Sequence, residues 1–315
     1  MQLKYSFRKE WSQFIRTFRF WGVLISVVGF ALINLLMFKF TGMVLTGLEK
    51  SSDNSGVQGF AAAANISADV NGTAASEPDQ ANSGGFGNDL LGDVDFSDMT
   101  AMYSDAGLMF STTMTSFCSN SMLIIMIIMM SPSGGEQKKR AMIVPLSSGL
   151  RYKSYLLPKF VIYPLTIFAV TFISSLATGA ACNALFPVNR QGAGMIMLAS
   201  LMCAVYCLFI FSVYLSLGLC TSHPGFMTAA VYVGQSILQS LLIAMGLDGY
   251  NPFTLLTLCS GALLSADGFD LAANTPSIVC AFILSVAISV LMYFLALAVL
   301  KAKKIDNQAQ EEPEF

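Results

Sequence analysis

Residues 134–159 read GGEQKKRAMIVPLSSGLRYKSYLLPK and carry six Lys or Arg against one acid, Glu136. The chain on either side is of the opposite kind: the 30 residues 106–135 that lead into it and the 30 residues 160–189 that follow hold no Asp, Glu, Lys, Arg or His. A bilayer is crossed by about 20 apolar residues, so each run is long enough to span and a basic segment is caught between two spans. Lys and Arg accumulate on the cytoplasmic side. That bias places the segment in the cytosol, as an amphipathic surface on which something docks.

The rest of the composition agrees. Hydrophobic residues make up 55% of the chain and charged residues 11%, with a mean hydropathy of +0.64, whereas a soluble domain carries about 25% charged residues. The reading is an all-α polytopic membrane protein. Dividing the chain at its charges gives Phe20 to Phe38, 106–135, 160–189, 191–247 and Leu271 to Leu300. The fourth run has 57 residues and must cross twice, breaking at Thr221-Ser222-His223-Pro224-Gly225, where Pro and Gly interrupt a helix. Six spans result: 20–40, 106–131, two within 159–220, 226–247 after the turn at 221–225, and 277–300, with a tail at 301–315.

Orientation follows from the charges. Of the 17 basic residues, 14 lie in the proposed cytosolic parts, and 13 of the 19 acids lie on the other side, ten of them between Glu49 and Asp105. Both termini are expected in the cytosol of a cell-membrane protein. The first apolar run lacks a small-residue cleavage site, so span 1 is expected to stay as an anchor. Neither the net charge of −2 nor the pI of 5.4 argues for nucleic acid.

Before span 1, Leu3, Phe7, Trp11, Phe14, Ile15 and Phe18 share one stripe of a helix over residues 3–19, with most of the cations off it. Such a helix lies in the headgroup layer; a plain extension of span 1 is the alternative. Residues 41–105 are rich in Gly, Ala, Ser, Asn and Asp, and their middle is expected to stay loose, because it buries too little apolar surface to offset chain entropy. Between spans 5 and 6, Thr254 to Leu264 is an apolar run of 11 residues, too short to span. Asn251 and Pro252 are placed to start it as a short helix, either re-entrant or packed on the outer ends of the spans.

The spans lack the chemistry of many carriers and intramembrane enzymes. Proton relays need titratable groups at membrane depth, and the span interiors hold none; Lys39 and Lys159 sit at span ends, from which they can snorkel to the interface. His223 lies in a short turn, where a solvated role is expected. Cys203 and Cys207, four residues apart on span 4, share a helix face, but with no His, Asp or Glu near them they read as small buried hydrophobes rather than metal ligands. A disulfide among Cys118, Cys182, Cys259 and Cys280 stays open. Gln235 and Gln239, one turn apart on span 5, and Asn120 on span 2 are neutral polar groups at membrane depth; they either bond between helices or touch a transported substrate.

Ser133-Gly134-Gly135-Glu136-Gln137 looks like the signature loop of an ATP-binding-cassette nucleotide-binding domain. No Gly-x-x-x-x-Gly-Lys-Ser/Thr phosphate cradle accompanies it, and a span precedes it. The chain is not expected to hydrolyse ATP by itself.

In its architecture the chain resembles the permease subunits of type-2 ABC exporters. The loop after span 2 in that family runs from a Glu through a basic cluster, a Leu-rich helix, a Ser or Pro turn and an Arg to a Lys that opens span 3. Glu136, Lys138 to Arg140, Ile143 to Leu146, Ser147-Ser148, Arg151 and Lys159 follow that order, with Ala141-Met142 in place of the usual Gly-Thr; Tyr250-Asn251-Pro252-Phe253 is similar to the start of the family's outer helix. The resemblance implies an N-terminal interfacial helix, six spans, a cytosolic coupling helix after span 2 and a short outer helix before span 6. It further implies that Glu136, Leu146, Ser148, Arg151 and Tyr152 couple the spans to a separate ATPase subunit. A second permease protomer, identical or homologous, would complete the pathway in the lipid bilayer, with no cofactor. The rival readings are an ion-coupled carrier and a membrane scaffold.

Overall fold

A computed structural model describes residues 2–16, 18–54, 96–121, 125, 152–221, 224–247, 249–264 and 269–309. Among them the chain is helical, and its β-type pairing is a single bridge between Asp105 and Val188. The helices are α1 (Gln2–Arg16), α2 (Phe18–Asn54), α3 (Phe96–Ser104), α4 (Ala106–Ser116) with a π-helical turn at Phe117–Ser121, α5 (Tyr152–Leu185), α6 (Ala193–Cys220), α7 (Pro224–Ala244), α8 (Thr254–Leu264) and α9 (Leu271–Ala309).

Four stretches are long and apolar enough to cross a membrane: Phe20–Gly47, Lys153–Leu185, Ala193–Cys220 and Leu271–Ala302. These helices make the chain a multi-pass, membrane-embedded protein. Helix α6 is the hub, with 72% of its most apolar window buried, against 17% for those of α2 and α9. It packs on α5, α7, α8 and α9. Lipid tails are as apolar as the side chains, so helix association inside a bilayer relies on close packing and interhelical hydrogen bonds. Helix α6 supplies both: Ala199, Ser200, Cys203, Ala204 and Cys207 are small and buried, and Ser216 donates to the Met292 carbonyl of α9 at 2.9 Å. The outer helices show the complement. Ile25, Leu32, Ile33 and Leu36 on α2, and Ile283, Val290 and Leu291 on α9, are exposed, as lipid-facing positions should be.

Several helices outrun the apolar runs that mark them. Helix α2 continues past residue 40 to Asn54, because Met43, Val44 and Leu45 prolong its apolar pattern and Gly42 lets Tyr103 of α3 approach: a Cβ at Gly42 would lie 3.5 Å from Tyr103 Cβ. The ends of the segment 41–105 are thus helical at 41–54 and 96–104, while its middle lies outside the described residues. Helix α5 begins at Tyr152, seven residues before Lys159, and carries Pro158 and Pro164 inside it. Helix α9 starts at Leu271, capped by the Asp270 carboxylate, which accepts from Ala273 N at 3.1 Å, and runs to Ala309.

Helix α8 covers the 11 residues that the sequence marks out. Asn251 starts it: its side-chain oxygen accepts from Thr254 N at 3.1 Å, and its amide donates to the Leu247 carbonyl at 2.8 Å, an N-cap satisfying one of the orphan donors of the first turn. Leu255, Cys259, Ala262 and Leu263 are buried against α4, α6 and α9. Its later part meets the starts of α4 and α6, with Leu263 against Gly107 and Cys259 donating to the Ala199 carbonyl, while Phe253 before it packs on Tyr206 and Phe209 in the middle of α6.

Candidate functional site

At the end of the bundle that carries the basic segment, α1 is clamped to the start of α5. The stripe of α1 divides: Phe14 is buried, its ring centroid 5.2 Å from that of Tyr163, while Leu3, Trp11 and Ile15 stay exposed. Ser6 donates to the Ser154 carbonyl at 2.8 Å. Glu10, the acid among the cations of α1, receives the Tyr163 hydroxyl at 2.5 Å and pairs with Lys159 Nζ at 3.6 Å. Lys159 does not snorkel, as its place near a span end suggested. It is 1% exposed, with Nζ 4.8 Å from the centre of the Tyr155 ring, because α5 begins two turns earlier and α1 closes over it. A buried ammonium needs such a counter-charge.

Of the residues expected to couple to an ATPase, Glu136, Leu146, Ser148 and Arg151 lie outside the described residues. Tyr152 opens α5, which fixes where the basic segment hands over to a spanning helix.

The three neutral polar residues singled out at membrane depth are distributed over two elements. Gln235 on α7 donates to the Tyr206 hydroxyl of α6 at 2.8 Å, so one of its roles is to join helices. Gln239 is half-buried one turn later. Asn120 is exposed in the π-helical turn, and among the described residues no hydrogen bond links it to either glutamine. Among the described side chains, Thr115 of α4, Asn120 of the π-helical turn, and Ser236 and Ser240 of α7 are exposed polar groups; Ser236 and Ser240 satisfy themselves on carbonyls one turn back.

At the opposite end, a network not legible in the sequence ties three connections together. Asp105 caps α4 by accepting from Leu108 N at 2.8 Å, and it receives Asn189 Nδ2 at 3.2 Å. Gln191 donates to the Leu263 carbonyl at 3.2 Å, and its backbone N–H is held by Asn183 at 3.0 Å. Asn189 adopts φ 48, a left-handed conformation that Asn tolerates better than most residues. Beside this network a cleft of about 440 Å³ opens between Lys39, Gly42, Met43, Tyr103, Ser104 and Phe186. The Lys39 ammonium spans its edge, donating to the Leu185 carbonyl at 3.0 Å and lying 5.6 Å from the Phe186 ring centre.

Inside the bundle, Cys203 and Cys207 share a face as their spacing predicts, and Cys118 of the π-helical turn joins them. That third sulfur was not foreseeable, since a spacing of 85 residues carries no periodic signal. None of the seven cysteines forms a disulfide. The chain matches no protein-family model, no curated protein and no solved structure.

Proposed function

We propose that this chain is the permease subunit of an ATP-driven exporter of the type-2 ABC kind, moving an apolar or amphipathic compound, with ATP hydrolysed by a separate subunit. The observation that carries the reading is mechanical. The basic segment after residue 131 runs directly into α5, and the first turns of α5 are held to α1 by the Glu10–Lys159–Tyr163 cluster. A force applied to that segment reaches two helices at once, which is what a coupling helix requires.

Three further features support it. Lys153, Lys159 and Lys301 lie at or near the ends of the long apolar helices, Lys39 lies in the last third of Phe20–Gly47 level with the end of α5, and α6 carries no cation; a proton relay needs titratable groups in mid-span. Helix α7, with 21 residues, is about 31 Å long at 1.5 Å per residue, enough to cross a hydrocarbon core of about 30 Å. With residues 106–131 it completes six spans. The exposed polar groups Thr115, Asn120, Ser236 and Ser240, with Gln239 beside them, belong against a second protomer rather than against lipid.

The test is purification of the tagged chain from its native membrane, alone and as Arg151→Glu. An ATP-hydrolysing subunit is expected to come with the parent and to be lost from the variant at equal membrane insertion. A parent without such a partner, or a variant that keeps it, overturns the proposal. The buried Glu10–Lys159 pair favours a second reading, an ion-coupled carrier; transport that survives ATP depletion and stops when the proton gradient is collapsed selects it.

A further inference from the structure

Cys118, Cys203 and Cys207 bring three sulfur atoms to one point in the interior of the bundle. Cys118 Sγ lies 3.3 Å from Cys203 Sγ and 3.8 Å from Cys207 Sγ, all three sulfurs fall within 4.8 Å of one another, and all three residues are buried. With metal–sulfur bonds of about 2.3 Å, three sulfurs in a plane around one ion stand about 4 Å apart. The separations of 3.3 and 3.8 Å lie slightly below that value.

Two independent observations accompany the cluster. Cys118 sits in the π-helical turn Phe117–Ser121, and such turns are frequent at functional sites. Thr171 of α5 brings its hydroxyl beside Cys207, and that oxygen is 2% exposed as a residue and without a hydrogen-bond partner of ordinary geometry. A buried donor left unpaired is unfavourable; a metal-bound thiolate at Cys207 would accept from it. One turn before Cys118, Met114 lines a small pocket together with Thr171, Ser175 and Thr178, and its sulfur accepts from Ser175 Oγ at 3.0 Å.

We propose that Cys118, Cys203 and Cys207 form a three-sulfur site for a soft monovalent cation, Cu(I), which ties the turn after α4 to α6. Thiolates select Cu(I), Zn²⁺ and iron–sulfur clusters among biological metals. Structural zinc takes four ligands, drawn from Cys, His and carboxylates, and among the described residues no fourth group of these kinds joins the three sulfurs. Cu(I) is satisfied by three sulfurs. Binding replaces thiol protons, which leave to water, because the thiolate is the ligand. The inference does not depend on the exporter reading.

The experiment uses the full chain, purified in detergent, reduced and kept free of oxygen, and titrated with Cu(I) against a chromogenic Cu(I) chelator. One equivalent is expected to be withheld from the chelator by the parent and by Cys182→Ser, and released by Cys118→Ser and Cys203→Ser. X-ray absorption should report three sulfurs at about 2.3 Å. Thr171→Val leaves every sulfur in place and is expected to weaken Cu(I) binding about ten-fold, the usual loss when a group bonded to a ligand is removed, while the metal-free protein stays at least as stable as the parent. Failure to bind Cu(I), tighter binding of Zn²⁺, or unreduced protein that after denaturation alkylates at only five of its seven cysteines, which marks a disulfide, would each overturn the proposal.

Discussion

The buried Lys159 of α5 and the partly buried Glu10 of α1 form an ion pair at 3.6 Å across 149 residues of sequence, and Tyr163, one turn beyond Lys159, donates to the same carboxylate. The pair fixes the helix that precedes the first span to the helix that follows the basic segment. Truncating one partner of a buried pair costs about 3–5 kcal/mol, whereas replacing both by apolar groups is often neutral. Lys159→Met, or Glu10→Leu, should therefore lower the unfolding midpoint in detergent strongly, and the double variant should recover most of the loss. Additive losses would show that the two charges do not stabilise one another.

Gly107 lets α4 press against the end of α8. A methyl there would fall inside contact distance of the Leu263 carbonyl and 2.7 Å from Gln191 Nε2. Gly107→Ala should destabilise by about 1–3 kcal/mol, the usual cost of overpacking. Gly261 on α8 has nothing within 4 Å; Gly261→Ala should stabilise by up to about 1 kcal/mol, as alanine does in a helix. Thermal unfolding of the two variants side by side checks the docking of α8.

Asn251 caps α8, and removing a cap costs about 1 kcal/mol. Cys259, buried on α8, has its thiol pushed up by burial and donates to the Ala199 carbonyl at 3.5 Å, so it alkylates slowly in the native protein. Asn251→Ala should raise the alkylation rate of Cys259 selectively, read by mass spectrometry, with Cys203 unchanged. An equal increase at both would mean global rather than local loosening.

Gln235 and Tyr206 test what the neutral polar groups of α7 do. Interhelical hydrogen bonds within membranes contribute about 0.6 kcal/mol on average, so a cycle of Gln235→Leu and Tyr206→Phe should give a coupling of that order. Gln239→Leu, outside this bond, should leave stability unchanged and alter transport rate or substrate range if α7 lines a route. A Gln239 variant with parental transport removes α7 from the pathway.

The sidedness of the chain rests on its Lys and Arg distribution. Tags within 51–95 should be reachable from outside intact cells, and tags at residues 1, 149 and 315 should not. A tag at 149 that is labelled from outside would invert the topology and remove the basis for an ATPase partner.

The amino-acid sequence determined what is periodic or compositional. Runs of apolar residues define α2, α5, α6 and α9 as long helices; Asn251 and Pro252 before an apolar 11-mer define α8; the break at 221–225 separates α6 from α7. Each of these depends on neighbours within a few turns, where hydrophobicity and caps act directly on the backbone. The tertiary structure alone decided which distant groups meet. Nothing near Glu10 names Lys159 as its partner, nothing near Cys203 and Cys207 announces Cys118, and Gln235 could have faced any neighbouring helix before packing turned it to Tyr206. Inside a bilayer lipid and side chain are equally apolar, so the apolar pattern fixes each helix while leaving its rotation and neighbours undetermined; close packing of small residues and a few buried polar bonds choose them.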